Sequence, residues 1–211
     1  MQKDKKIIRI RRMRNTEKDM NTLLKWLSDP QVLEWSWSED APWDLDKVKK
    51  EFGENTDLHS TVVACFILLD EQPIGYVQYY PIERDSYKFD DEVTYKSVKG
   101  GYGVDMFIGE PALWGQGIGK AAMKALEKQL SDELQVDILC VDPEMENERA
   151  VHFWKSAGFI PISVIKNYDD DNKESILMVS RLHSSDWKEK LTVEEAKELI
   201  AFQSGRCGEV D

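Results

Sequence analysis

The sequence predicts an α/β (α+β) fold, and three observations predict it. Apolar residues switch along the chain between period-two and helical spacing. A turn carrying three glycines, Gly115, Gly117 and Gly119, joins a strand-like segment to a helix-like one. Hydrophobic residues make up 41% of the 211, enough to bury a core. Yet no apolar run approaches the ~20 residues that cross a bilayer.

Each element follows from its own residues. Residues 7–13, IIRIRRM, partly alternate and read as a first strand. Thr16 stands where a helix cap belongs, and Met20, Leu23, Leu24 and Leu27 form a helical stripe that stops before Pro30. Residues 31–43 are aromatic and acidic without clear periodicity, and hold Trp35, Trp37 and Trp43. Residues 44–52 make a short helix. Residues 61–70 and 74–82 read as a hairpin around a tight turn at Glu71, Gln72 and Pro73. Residues 83–101 form a long charged connector with Asp90, Asp91 and Glu92 in a row, and connectors of that length are often binding loops. Residues 102–110 are a strand with Asp105 in its middle. The glycine turn follows, then a helix to about Leu130. Residues 136–142 are a buried strand. Residues 147–158 are a helix with Ala150, Phe153, Trp154 and Ala157 on one side, stopped by Gly158. Residues 159–165 and 175–182 are closing strands with an acidic turn between them.

Residues 1–182 are expected to form one domain, with 183–211 as a C-terminal appendage. In the appendage Thr192 and Glu195 have capping-box spacing, and Val193, Ala196, Leu199 and Ile200 give a short amphipathic helix its apolar edge. The net charge of −12 argues against nucleic acid, which wants a basic surface. It suits a cationic small molecule steered into an acidic cleft, and equally a surface kept soluble by acid. Cys65, Cys140 and Cys207 are odd in number and lack metal-type spacing, so a reducing cytoplasm and no metal are expected. The basic start lacks the apolar stretch of a signal peptide, and no membrane partner is expected. Monomer and homodimer both remain open.

Three glycines in five residues need a reason, because glycine in a helix interior costs about 1 kcal/mol relative to alanine. A helix start offers unpaired N–H groups and a partial positive charge, and bare backbone lets a pyrophosphate approach them. A close strand–helix contact would also explain the glycines. The spacing is neither that of the nucleotide P-loop nor that of the dinucleotide fingerprint.

The run WGQGIGKAAMKAL (114–126), a strand ending VDP (141–143) and NERAVHFWKSAGF (147–159) together resemble the Gcn5-related N-acetyltransferase superfamily. The pieces LEWSW (33–37), PIGYVQYY (73–80), YGVDMFIGEPALWGQGIG (102–119) and VDPEMENERAVHFWKSAGF (141–159) resemble, within it, the aminoglycoside 6'-N-acetyltransferases. The resemblance spans roughly residues 7–182. It implies a central mixed, mostly antiparallel, twisted sheet flanked by helices. It implies acetyl-CoA as cosubstrate and an aminoglycoside as the cationic acceptor.

Carried onto this chain, the resemblance makes Asp105 the catalytic carboxylate. The pyrophosphate would lie on Trp114, Gly115, Gln116, Gly117, Ile118, Gly119 and Lys120. Phe107 and Ile108 of the preceding strand would run beside the pantetheine arm, and Asn147, Ala150 and Phe153 would line it. Trp35, Tyr80, Asp105 and Asp142 would meet the acceptor; apart from the resemblance, Glu92 of the acidic connector could contact its ammonium groups. Trp114 stands where the family often has arginine or glutamine, which leaves only backbone donors there. Trp154 stands where the family usually has the tyrosine that protonates the leaving thiolate, and tryptophan cannot titrate usefully.

The chemistry is coherent. Amide formation from a thioester needs a neutral amine, and a carboxylate can bind the ammonium and take its proton. Other roles remain open for most of these residues. Asp105 could be structural, and Asp142 ordinary turn chemistry. Glu92 could belong to a solvated acidic loop, and Asn147 could be a helix cap. One or more of the tryptophans could be core, while His152 reads as surface or packing. The acceptor could instead be a polyamine or a protein N-terminus, or the chain could be a non-catalytic acetyl-CoA-binding module.

Overall fold

The computed structural model describes residues 7–34, 43–89, 92–166 and 173–182. In chain order the first elements are β1 (Ile8–Arg12), α1 (Glu17–Leu27), α2 (Pro30–Leu33) and α3 (Leu45–Phe52). Then come β2 (Val63–Leu69), β3 (Gln72–Pro81), α4 (Glu92–Val98) and β4 (Tyr102–Ile108). The last are α5 (Ile118–Leu134), β5 (Ile138–Val141), α6 (Glu148–Ala157), β6 (Ile160–Lys166) and β7 (Glu174–Arg181). The strands form a seven-stranded sheet in the order β1-β2-β3-β4-β5-β7-β6. The β4–β5 pair is parallel, and the β1–β2, β2–β3, β5–β7 and β6–β7 pairs are antiparallel. This is the mixed, mostly antiparallel sheet with helices that was expected. The chain divides into two compact units, residues 1–80 with 104–134 and residues 81–103 with 135–211.

In the first unit Thr16 caps α1 by accepting from the Asp19 N–H, as its position predicts. One sheet face carries Phe66 and Tyr76 and is buried under Leu23, Trp26 and Leu27 of α1 and Val48 and Phe52 of α3. The other face presents Ile10, Ile67, Val77 and Met106 to Ala122, Met123 and Leu126 of α5. Trp43 joins the core, with its ring tilted against Phe52.

The β2–β3 hairpin turns earlier than expected. Leu69 pairs with Gln72, so the turn is Asp70 and Glu71, and Gln72 and Pro73 already belong to β3. Both turn residues are left-handed, with φ of 48° and 66°, which matches the twist of the flanking strands. Asp70 Oδ1 also accepts from the Ile7 N–H at 3.0 Å, which ties the turn to the start of β1.

In the second unit the expected connector 83–101 turns out to be structured. It contains α4, and Tyr87, Phe89 and Val98 are buried with Ile82, Cys140, Ile165, Leu177 and Val179. Charge alone hid this, because three apolar residues spaced along a polar segment suffice to bury it. The α6 helix has Asn147 as N-cap and ends at Gly158, whose φ is +101°. Its buried residues are Val151 and Trp154, whereas Ala150, Phe153 and Ala157 of the expected stripe are half-buried. Trp35, Trp37, Asp90, Asp91, the acidic turn after β6 and the tail 183–211 lie outside the described residues. No helix among the described residues is long and apolar enough to cross a membrane.

Candidate active site

Strand alternation puts Gly103, Asp105 and Phe107 of β4 on one face. Phe107 fixes that face against the first core. Its ring stacks on Tyr76 with centroids 5.8 Å apart and meets Trp26 edge-on at 6.1 Å. Asp105 is half-buried. Its Oδ2 accepts a hydrogen bond of 2.8 Å from Gln78 Nε2 on β3. Gln78 Oε1 in turn accepts from the Tyr76 hydroxyl at 2.8 Å, and Asn55 lies beside that hydroxyl. Burial, and secondarily the Asp105 charge, hold the Tyr76 phenol well above its ordinary pKa, so it stays a neutral donor. The sequence reading missed Gln78, Tyr76 and Asn55. Period two does place Tyr76, Gln78 and Tyr80 on one face of β3, but only the register against β4 reveals whom they meet. Tyr80 itself is half-buried at the end of that row.

The segment after β4 is fastened to α1. Glu110 Oε1 accepts from Lys25 Nζ at 2.6 Å and from Trp26 Nε1 at 2.9 Å. Burial works to raise the Glu110 carboxyl, but these partners hold it below the usual range. A Cβ on Gly109 would stand 2.3 Å from the Trp26 ring, so the chain needs glycine there. The indole N–H of Trp114 donates to the Ile108 carbonyl at 2.8 Å, and its ring packs against the first core. Gln116 Nε2 donates back to the Ala112 carbonyl at 2.7 Å.

Gly115 and Gly117 then take φ of +72° and +77°. A Cβ at either would meet no atom within 4 Å. The glycines are therefore demanded by backbone conformation and border open space, not a close strand–helix contact. Gly119 lies inside α5, whose first helical bond runs from the Ala121 N–H to the Gly117 carbonyl. The N–H groups of Ile118, Gly119 and Lys120 head this 17-residue helix, and Lys120 is exposed. Bare left-handed backbone opening a long helix fits a phosphate-bearing group.

In the second unit Asp142 follows β5 directly and is half-buried. Burial and then the Asp142 charge push up the Cys140 thiol. Asn147 Oδ1 caps α6 by accepting from the Ala150 N–H at 2.9 Å. Phe153 touches Trp154 at 4.8 Å between centroids. Trp154 is buried, edge-on to Phe159 at 5.0 Å, and so serves as core. Glu92 opens α4, is exposed, and has Arg84 at 3.6 Å and Lys96 at 4.0 Å. His152 is exposed. Burial pushes the Cys65 thiol up to about 12, and no group that could hold a metal occurs among the described residues.

A model of the acetyltransferase (GNAT) domain matches residues 15–166. The chain belongs to the GNAT acetyltransferase family. Among curated members, this acetyltransferase is 28% identical over 144 residues to aminoglycoside N(6')-acetyltransferase type 1 of Klebsiella pneumoniae, over 68% of this chain and 70% of that one. The Serratia marcescens protein of the same name matches equally. Solved structures share the fold. AAC(6')-Ib in complex with ribostamycin and coenzyme A superposes with a TM-score of 0.68 at 22% identity, over 87% of this chain and 96% of that one. A protein from Bacillus halodurans superposes with a TM-score of 0.67 at 20% identity, over 92% and 93%.

Proposed function

We propose that this acetyltransferase moves an acetyl group from acetyl-CoA to the 6'-amine of an aminoglycoside, by direct transfer in a ternary complex with Asp105 as general base. Such a reaction in the cytoplasm would confer resistance to the antibiotic. The observation that carries the reading is the half-buried Asp105 on the strand that leads into a left-handed glycine turn and a long helix. The likeness to aminoglycoside N(6')-acetyltransferases supports the acceptor class.

The coenzyme thioester supplies an activated acetyl group. The backbone of Gly115 and Gly117 and the first N–H groups of α5 would hold its pyrophosphate, with Lys120 adding charge. Phe107 and Ile108 would offer strand backbone to the pantetheine arm. Asn147, Ala150 and Phe153 are proposed as further contacts for that arm. Asp105 binds the acceptor ammonium and takes one proton from it, which exposes the lone pair that attacks. The lone pair attacks the thioester carbonyl, the C–S bond breaks, and coenzyme A leaves as a thiolate, which can take up the second proton that the nitrogen loses; buried Trp154 has no titratable proton to give it. Tyr80 and Asp142 are proposed as acceptor contacts. Glu92 is proposed as one too, through a carboxylate shared with Arg84 and Lys96.

Thiol release from acetyl-CoA should be followed with kanamycin, a polyamine and a peptide N-terminus as acceptors. The expected result is turnover with kanamycin and a product acetylated on the 6' nitrogen by mass mapping. Turnover only with the polyamine or peptide would move the acceptor class. No turnover with any amine, alongside measurable acetyl-CoA binding, would leave a non-catalytic module.

A further inference from the structure

We propose that Gln78 is a positioning residue for Asp105, oriented by Tyr76 and Asn55 behind it. This rests on the reading of Asp105 as the base. Four residues from three parts of the first unit stand in one row. Asn55 sits in the short turn after α3, Tyr76 and Gln78 on β3, and Asp105 on β4. Asn55 lies beside the Tyr76 hydroxyl, that hydroxyl donates to Gln78 Oε1, and Gln78 Nε2 donates to Asp105 Oδ2.

The geometry leaves the Gln78 amide little choice. Tyr76 is fully buried, and Ala64, paired across β2–β3 with Gln78, is fully buried too. Gln78 itself is half-buried, and both ends of its amide are bonded. An ionised Asp105 carboxylate only accepts, so the NH2 group is the end that faces it and the oxygen is left to the Tyr76 hydroxyl. Reversing the amide would set its oxygen against Asp105 Oδ2 and lose that hydrogen bond. Asp105 is thereby held at one oxygen by a neutral donor. That bond fixes the direction of the carboxylate without adding a countercharge. A general base must stand within hydrogen-bond reach of the proton it removes, and small misplacements cost rate steeply.

The test compares Gln78→Met, Tyr76→Phe, Asp105→Asn and the Gln78→Met/Asp105→Asn double variant of the full chain. Thermal midpoint, acetyl-CoA affinity, kcat and KM are measured with the amine that the acceptor assay selects. Gln78→Met should lower kcat by about tenfold with acetyl-CoA affinity unchanged, because the base remains but is no longer aimed. Tyr76→Phe should lower kcat by a smaller factor. Added to Asp105→Asn, Gln78→Met should lower kcat no further, because its effect runs through the carboxylate. Should Gln78→Met not fold, Gln78→Asn, which keeps an amide but is too short to reach, replaces it with the same expectation. Losses that multiply in the double variant would overturn the proposal, as would an unchanged kcat in Gln78→Met. If Asp105→Asn itself retains kcat, the base reading fails and positioning goes with it. If Asp105→Asn falls and Gln78→Met does not, only the positioning role fails.

Discussion

Two aspartates of the first unit meet different donors, a guanidinium in one place and an amide in the other. Asp19, at the start of α1, takes two hydrogen bonds from the Arg11 guanidinium, at 2.9 Å and 3.0 Å, and one from the Arg14 N–H at 2.9 Å. Burial raises its pKa, but these cationic and backbone donors outweigh that and hold it low. Arg11 is itself stacked over Phe66. The pair pins β1 to α1. Asp105 instead takes a bond from the neutral amide of Gln78. A guanidinium both orients a carboxylate and cancels its charge, whereas an amide orients it only.

The contrast can be broken by exchanging one atom at each site. Asp105→Asn should lower kcat by about 10²-fold, the scale of a lost general base, with acetyl-CoA affinity and thermal midpoint little changed. Assays of turnover, binding and melting on one preparation check all three. Gly117→Val should come next. A branched side chain at φ of +77° is strained, and the backbone that faces the phosphate is covered. Calorimetry should show acetyl-CoA binding weakened by about tenfold or more. Unchanged affinity would remove the glycine turn from the coenzyme site.

Asp19→Asn should act on stability alone. It leaves a mostly buried Arg11 without its ion pair, at a cost of about 2 kcal/mol in denaturant unfolding near neutral pH. The sign in pH follows from the lowered pKa. The carboxylate stabilises the fold above the unfolded-state value, and that contribution is lost as pH falls through the folded value. The gap between wild type and Asp19→Asn should therefore close under acid. A gap that persists there would mean the pair is not its source. The smallest effect concerns the thiols. Burial holds Cys65 at about 12 and pushes Cys140 up, so neither should be alkylated at neutral pH in the folded chain. Peptide mapping after iodoacetamide checks this, and modification of either would show that its site opens to solvent.

Local chemistry was legible in the sequence. Thr16 as a cap, Gly158 as a left-handed helix stop and the glycines at 115 and 117 each depend on a few neighbouring residues, and each was readable from them. The hairpin turns before the place that Pro73 suggests, because Asp70 and Glu71 both enter the left-handed region. The connector 83–101 looks like a loop in sequence because its charges outnumber the few apolar residues that bury it. The Asn55–Tyr76–Gln78–Asp105 chain was invisible for a different reason. It joins residues up to fifty positions apart through strand register, which no local pattern encodes. The roles of Asn147 and Trp154 show the same limit. Spacing located them on α6, but only packing shows that one caps the helix and the other fills the core.

The pH dependence of kcat, in wild type and in Asp105→Asn at saturating acetyl-CoA and acceptor, tests the base role of Asp105 most directly. Wild-type activity should fall on the acid side as the carboxylate takes up a proton and can no longer accept one from the acceptor. The Asp105→Asn variant should be slow throughout and lack that acid limb. An acid limb that survives in the variant, or a variant with near-normal kcat at neutral pH, would contradict the account and leave Asp105 a structural residue.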